Sequence, residues 1–223
     1  MIRTNSQNII CNMKSRAVLI IFAKAPEAGK VKTRLIPGIG CRRATSLYKD
    51  MLTKTLNTAR KAGFSEIHVC VSGNTGNEYF TRLKSRHYVK LYKQRGKDLG
   101  QRMSNALDTA LRRFPYAVLI GSDCPSLSSS DLKLATDYLE NKTDVVLGPA
   151  KDGGYYLIGL RKNNPRLFSG IEWGKETVFT DTCSYIKALN WRVRLLSMRW
   201  DVDLTVDLLS YFRMKRQESV LYY

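Results

Sequence analysis

AVLIIFAK (17–24) is an unbroken apolar run up to its final lysine, and KAPEAGKVKTRL (24–35) follows without a gap. A run with no polar alternation is how a strand covered on both faces reads, and that implies a sheet sandwiched between helices. The Pro-, Gly- and Lys-rich stretch after it is a loop at the strand's carboxyl end. Further along, Ala44, Leu47, Tyr48, Met51, Thr55 and Leu56 recur mostly at intervals of three or four. They line one face of a helix over 42–62, which Gly63 ends.

The same reading predicts strands at 66–72, 88–92, 116–121, 143–148, 156–160 and 192–196. Helices are expected at 77–85, 99–114, 176–189 and 205–214, with one more starting near Ser130, where Ser130-x-x-Lys133 is no capping box. Strands alternating with helices point to an α/β fold with a mainly parallel sheet. No repeat or linker divides the chain, so one domain is expected over 17–216. Residues 1–16 read as a disordered N-terminal extension and 217–223 as a C-terminal tail.

The 223 residues are 43% hydrophobic and 25% charged, which excludes a disordered or fibrous protein. The longest apolar run is far shorter than the ~20 residues of a membrane-spanning helix. Lys and Arg number 37 against 19 Asp and Glu, a net charge of +18, spread along the chain rather than gathered in a tail. Such a field favours nucleotides, polyanions or anionic surfaces and says nothing about fold. The five cysteines have irregular spacing and form no C-x-x-C pair. Reduced thiols and a cytoplasmic location are expected.

In open α/β sheets ligands sit beyond the carboxyl ends of the strands, so polar clusters placed there carry the chemistry. The first is the 24–35 loop, where Gly29 lets backbone approach a ligand and four cations can neutralise phosphate oxygens. It is neither a Walker loop, since Lys24 and Val31 stand where Gly and Ser or Thr are needed, nor a dinucleotide fingerprint. A solvated basic loop is the alternative. The second is GSDCP (121–125), where Asp123 ends an apolar strand. It either ligates a hard divalent cation or accepts backbone hydrogen bonds in the turn. The third, GPAKDGGYY (148–156), is first of all a turn. In the fourth, DVDLTVD (201–207), Thr205 is a candidate helix cap and Asp207 suits the helix dipole. Asp203 has no such duty and could meet Asp123 across a cleft. His68 and His87 read as structural.

Taken together, FAKAPEAGKVKTRL (22–35), DLGQRM (98–103), GSDCPSL (121–127), GPAKDGGYYLIGL (148–160) and DVDLTVDL (201–208) resemble a bacterial transferase family. That family has been described as a domain of unknown function and as a transferase associated with radical-SAM and selenium-domain proteins. It belongs to the nucleotide-diphospho-sugar transferase superfamily with the GT-A type fold. The resemblance implies a Rossmann-like mixed sheet with a nucleotide over its carboxyl edge. It implies Ala23, Lys24, Gly29, Lys32, Arg34, Gly100 and Arg102 around the nucleotide and its phosphates. Asp123 and Asp203 would hold Mg²⁺ or Mn²⁺, and Asp123 and Asp152 would be the catalytic carboxylates. Asp152, Gly153, Gly154, Tyr155 and Trp173 would border the acceptor. The chain departs from the pattern at Gly121, where many glycosyltransferases have the first Asp of D-x-D, and at Val206, where Pro is common.

The activity implied is sugar transfer from a nucleotide-diphosphate sugar to a small acceptor, with a metal ion and cations stabilising the departing phosphate. The rival is nucleotidyl transfer from a nucleoside triphosphate to a phosphorylated acceptor, releasing pyrophosphate. A third reading is a non-catalytic basic protein for nucleic acid or membrane surfaces. The absence of zinc-finger, helix-turn-helix and aromatic RNA-binding motifs argues against nucleic acid.

Overall fold

The computed structural model describes residues 15–220. Its centre is β1 (Ser15–Lys24), which pairs in parallel with β2 (Phe64–Ser72) on one side and β4 (Tyr116–Ile120) on the other. Both edges of β1 are hydrogen-bonded and both faces are covered, which is why its sequence does not alternate. Leu19, Ile21 and Ala23 point into one core and Val18 and Ile20 into the other. Each fully buried Leu or Ile contributes roughly 1.5–3 kcal/mol.

The remaining strands are β3 (Lys90–Lys93), β5 (Val145–Pro149), β6 (Tyr155–Leu160) and β7 (Val193–Leu195). They complete a seven-stranded sheet in the order β3-β2-β1-β4-β6-β5-β7. Only β6 runs against its neighbours, antiparallel to both β4 and β5. The sheet is therefore mixed and mostly parallel, as read from the sequence. The carboxyl ends of the parallel strands share one edge with the amino end of β6, so the loops 25–35, 121–128, 150–154 and 196–206 gather there.

The helices are α1 (Ile36–Ala62), α2 (Glu78–His87), α3 (Leu99–Leu111), α4 (Ser129–Glu140), α5 (Val178–Ala188) and α6 (Asp207–Val220). Side chains of α1, α2, α4 and α6 fill one core; α3, α5 and the segment around Leu167 and Phe168 fill the other.

Several boundaries differ from the sequence reading. Ser15 and Arg16 belong to β1 rather than to an N-terminal extension, and the rest of that extension, 1–14, lies outside the described residues. Helix α1 starts six residues earlier than expected, at Ile36. Gly40 interrupts it with φ 77° and ψ 157°, and so hid the first turn from a periodicity argument. Helix α6 continues to Val220, across the boundary drawn at 217, while 221–223 are not described. A capping box does start α4, from Ser128 and Asp131 rather than Ser130.

Candidate active site

The loop after β1 is pinned before it turns. The Lys24 N–H donates to Tyr48 Oη at 2.7 Å, and the Tyr48 hydroxyl also lies 3.2 Å from both the Lys24 carbonyl and Ser122 Oγ. One phenol on α1 thus ties together the ends of β1 and β4. Burial, opposed by those hydrogen bonds, pushes its pKa up to about 12. Val31 and Leu35 then bury completely on either side of Lys32. Held between these anchors, Lys32 adopts the left-handed conformation (φ 47°, ψ 44°), which costs a non-glycine residue roughly 1–2 kcal/mol.

Its side chain, only 5% exposed, reaches two carboxylates at once. Lys32 Nζ lies 3.0 Å from Asp123 Oδ2 and 2.8 Å from Asp203 Oδ1. Burial is the largest single influence on Lys32 and acts to lower its pKa. The attraction of Asp123 and Asp203, with their hydrogen bonds, outweighs it and leaves the ammonium more strongly protonated than an ordinary lysine. Arg34, 70% exposed, sits 3.8 Å from the other oxygen of Asp203.

Each carboxylate is placed by its backbone. A side chain at Gly121 would come within 2.9 Å of Asp123 Oδ1, so the glycine makes room for the Asp123 carboxylate. That accounts for the missing first Asp of the D-x-D pattern. The Val202 N–H donates to the Asp123 carbonyl at 3.3 Å, joining the two acidic segments through their main chains. Val202 is fully buried. Asp207 then fastens the far side: its Oδ2 accepts from the N–H groups of Asp203 (2.9 Å) and Leu204 (2.7 Å). Thr205, the expected cap, makes no such bond and packs against Gly38 instead.

Asp201 went unassigned in the sequence. Its Oδ1 is buried without a hydrogen-bond partner, and burial first, then the charges of Asp123 and Asp152, push its pKa up to about 7. The available signal was the Asp-x-Asp alternation around a core valine, which sets both carboxylates on the same side of an extended segment. Tyr48 gave no signal beyond its place on the buried face of α1.

The other expected site residues fall into two groups. Lys24 ends β1 and Gly29 lies on the 25–35 loop; Gly29 has φ 81° and open space where a side chain would be. Asp152 is exposed on the 150–154 turn, where Oδ1 accepts from the Gly154 N–H at 3.0 Å. Gly153 (φ 84°) presses on the Glu176 backbone, where a Cβ would come within 2.2 Å of the carbonyl oxygen.

The second group has contacts away from the Lys32 cluster. Ala23 is buried, and its carbonyl accepts from Gln94 Nε2. Gly100 packs on Trp173 and the Phe168 carbonyl, while Arg102 Nε donates to the Gly96 carbonyl at 3.1 Å. Tyr155 turns into the second core, edge-to-face with Trp173 at 6.4 Å. Trp173 also lines a cavity of about 460 Å³ with Asp98, Gln101 and Phe168. A second cavity, about 280 Å³, lies between β2, β3 and α3. Neither is lined by Lys32, Asp123 or Asp203; the two carboxylates are partly open at the sheet edge above the buried Lys32.

Among the described residues, no three His, Cys, Asp or Glu side chains form a complete metal-ligand set. The donors do suit Mg²⁺ or Mn²⁺, however. These ions take one or two carboxylates and fill their other positions with substrate phosphates and water. Asp123 and Asp203 are two carboxylates bridged by one ammonium, and about 40% of each carboxylate side chain is open to solvent.

The mostly parallel, seven-stranded mixed sheet flanked by helices is of the nucleotide-diphospho-sugar transferase type. The chain belongs to the family described as "Uncharacterized protein conserved in bacteria (DUF2064)", which matches residues 55–175. It is 33% identical to a structure from Desulfovibrio desulfuricans G20 assigned provisionally as a nucleotide-diphospho-sugar transferase. That similarity covers 85% of this chain and 83% of the other, with a TM-score of 0.78. CMP:2-keto-3-deoxy-manno-octonic acid synthetase complexed with CTP shares the fold at 12% identity and TM-score 0.58, over 92% of this chain and 100% of the other. Rv0371c of Mycobacterium tuberculosis H37Rv, solved with manganese, shares it at 18% identity and TM-score 0.56, over 87% and 96%. No curated protein matches the sequence. No helix among the described residues is long and apolar enough to cross a membrane.

Proposed function

We propose that this protein is a metal-dependent transferase that moves a sugar from a nucleotide-diphosphate sugar to a small acceptor. The observation that carries the reading is the buried Lys32 ammonium held between Asp123 and Asp203 at the carboxyl edge of the sheet. A lysine strained into a left-handed conformation and sunk between two carboxylates keeps a positive charge aimed where a diphosphate can lie.

Lys32 and Arg34 bind the diphosphate oxygens. Asp123 and Asp203 would hold a divalent cation, and the Lys32 ammonium between them would donate to a phosphate oxygen beside it. A Mg²⁺ or Mn²⁺ ion bound there supplies neutralisation of the charge that grows on the leaving diphosphate. Asp207 and the Val202–Asp123 backbone bond keep the acidic pair in register, so little reorganisation is needed when charge develops. Asp152, on the neighbouring exposed turn, orients the acceptor. Gly100 and Arg102 would lie on the nucleotide side of the site and Tyr155 and Trp173 on the acceptor side.

The test is thermal unfolding in Mg²⁺ or Mn²⁺ against a panel of nucleotide-diphosphate sugars and nucleoside triphosphates. A ligand at 100 times its Kd adds ~2.7 kcal/mol, which is readily measured. Stabilisation by the diphosphate sugars, lost in Lys32→Ala, supports sugar transfer. Stabilisation by triphosphates alone would instead assign the site to nucleotidyl transfer, and no response to either would remove the nucleotide reading.

A further inference from the structure

Helix α6 carries an apolar arc wider than the face it buries, where a helix on the surface of a globular protein needs only the buried part. Leu208 and Tyr211 are buried in the core. Beside them on the helix Leu209 is 67% exposed and Phe212 53%, with the Phe212 ring 5.6 Å from that of Tyr211. Leu204 and Val206, 52% and 69% exposed, extend this stripe back to Asp203. The stripe therefore begins at the mouth of the candidate active site. Arg213 and Arg216 are exposed on the same helix face, at the i+4 and i+7 positions from Leu209. Helix α1 packs alongside: Gly38 abuts Thr205, Lys54 Nζ lies 3.4 Å from Met214 Sδ, and Lys215 pairs with Asp50. At its amino end α1 adds the exposed Arg42 and Arg43.

We propose that this stripe docks the protein on the surface of an anionic lipid bilayer, with Leu204, Val206, Leu209 and Phe212 entering the headgroup boundary. Large aliphatic and aromatic side chains flanked by arginines are what an interfacial helix needs, and the +18 net charge complements an anionic leaflet. A second copy of the chain would bring a second +18 charge to the contact, whereas an anionic surface neutralises it. A nucleic acid would use the arginines but leave the four apolar side chains in water. Docking in this way brings Asp203, adjacent to Leu204, to the lipid–water boundary.

The experiment is co-sedimentation of the full chain with phosphatidylcholine vesicles, with and without phosphatidylglycerol, and it does not depend on the enzymatic reading. The intact chain is expected to bind only vesicles containing phosphatidylglycerol. Leu209→Ser/Phe212→Ser, which leaves the charge unchanged, should weaken binding at least about ten-fold, and Arg213→Gln/Arg216→Gln by about ten-fold or more at low salt. All four positions are exposed, and unchanged unfolding temperatures check that the variants fold. Three results overturn the proposal. The intact chain fails to bind the anionic vesicles; the serine variant binds as well as the intact chain, leaving only diffuse charge attraction; or the chain is a dimer that the serine variant converts to monomers.

Discussion

Replacing Lys32 with methionine keeps most of the buried stem and removes the charge, leaving the Asp123 and Asp203 carboxylates facing each other. Nζ lies 3.0 and 2.8 Å from the two oxygens, so those oxygens are at most about 5.8 Å apart. At that separation like charges repel by roughly 0.7 kcal/mol in water-like surroundings and ~3 kcal/mol at an effective dielectric of 20. Both aspartates are about 40% exposed, which favours the lower part of that range. Adding the loss of two charged hydrogen bonds, discounted for the same exposure, gives a net destabilisation of about 2–3 kcal/mol. For a domain of this size that lowers Tm by roughly 4–12 °C. Thermal unfolding in chelator at low salt reads this directly. The deficit should shrink as salt rises, and Lys32→Met/Asp203→Asn should recover part of it. Mn²⁺ should raise the Tm of Lys32→Met more than that of the parent, because both carboxylates are then free. A Lys32→Met protein that melts with the parent at all salt concentrations would refute the electrostatic argument.

Three further outcomes follow from the geometry. Ser128→Ala should cost about 1–2 kcal/mol by opening the capping box of α4, measured by denaturant unfolding. Gly153→Ala, with φ 84° and the Glu176 carbonyl in the way, should cost about 2–4 kcal/mol and loosen the start of α5, seen as faster amide exchange there. The histidine contribution to stability should also fall as pH drops through the ordinary histidine range near about 6.5. Asp201 opposes it, because its raised pKa lets the folded chain take up a proton as pH falls through about 7. His87 is buried without a hydrogen-bond partner, and burial, with Arg60 and Arg86 nearby, holds its pKa below that range; His68 is lowered mainly by burial. The unfolded chain therefore takes up protons that the folded chain does not. His87→Leu should flatten this limb, and an unchanged pH profile in that variant would exclude His87 as a source.

The sheet was legible in the sequence because its strands are buried on both faces and therefore read as apolar runs. The run at 17–24 foretold a strand covered on both faces, and the alternation of strands with helices foretold a mainly parallel sheet. Helix ends were less legible wherever local chemistry departed from periodicity. Gly40 breaks the rhythm of α1, and Asp131 completes a box whose cap, Ser128, lies two residues before the serine singled out. In the site, Lys32, Arg34 and Asp123 carried a visible pattern of charge after buried strands, and Asp203 stood out as an acidic residue before the last helix that capping did not require. Asp201 did not stand out, because its burial depends on Val202 anchoring the segment from the other side. Tyr48 read as helix core, and its hydroxyl found Lys24 and Ser122 only through the packing of α1 on the sheet. Tyr155, by contrast, belongs to the turn in sequence and to the core in space: it is the first residue of β6, and the pleat directs it inward.

The most direct test of the central claim is a calorimetric titration of Mn²⁺ into the protein, with and without a saturating nucleoside diphosphate, for the parent, Asp123→Asn and Asp203→Asn. The account predicts that the diphosphate tightens Mn²⁺ binding in the parent and that each substitution abolishes this coupling while the fold persists. Equal Mn²⁺ affinity in all three proteins, indifferent to the diphosphate, would contradict it.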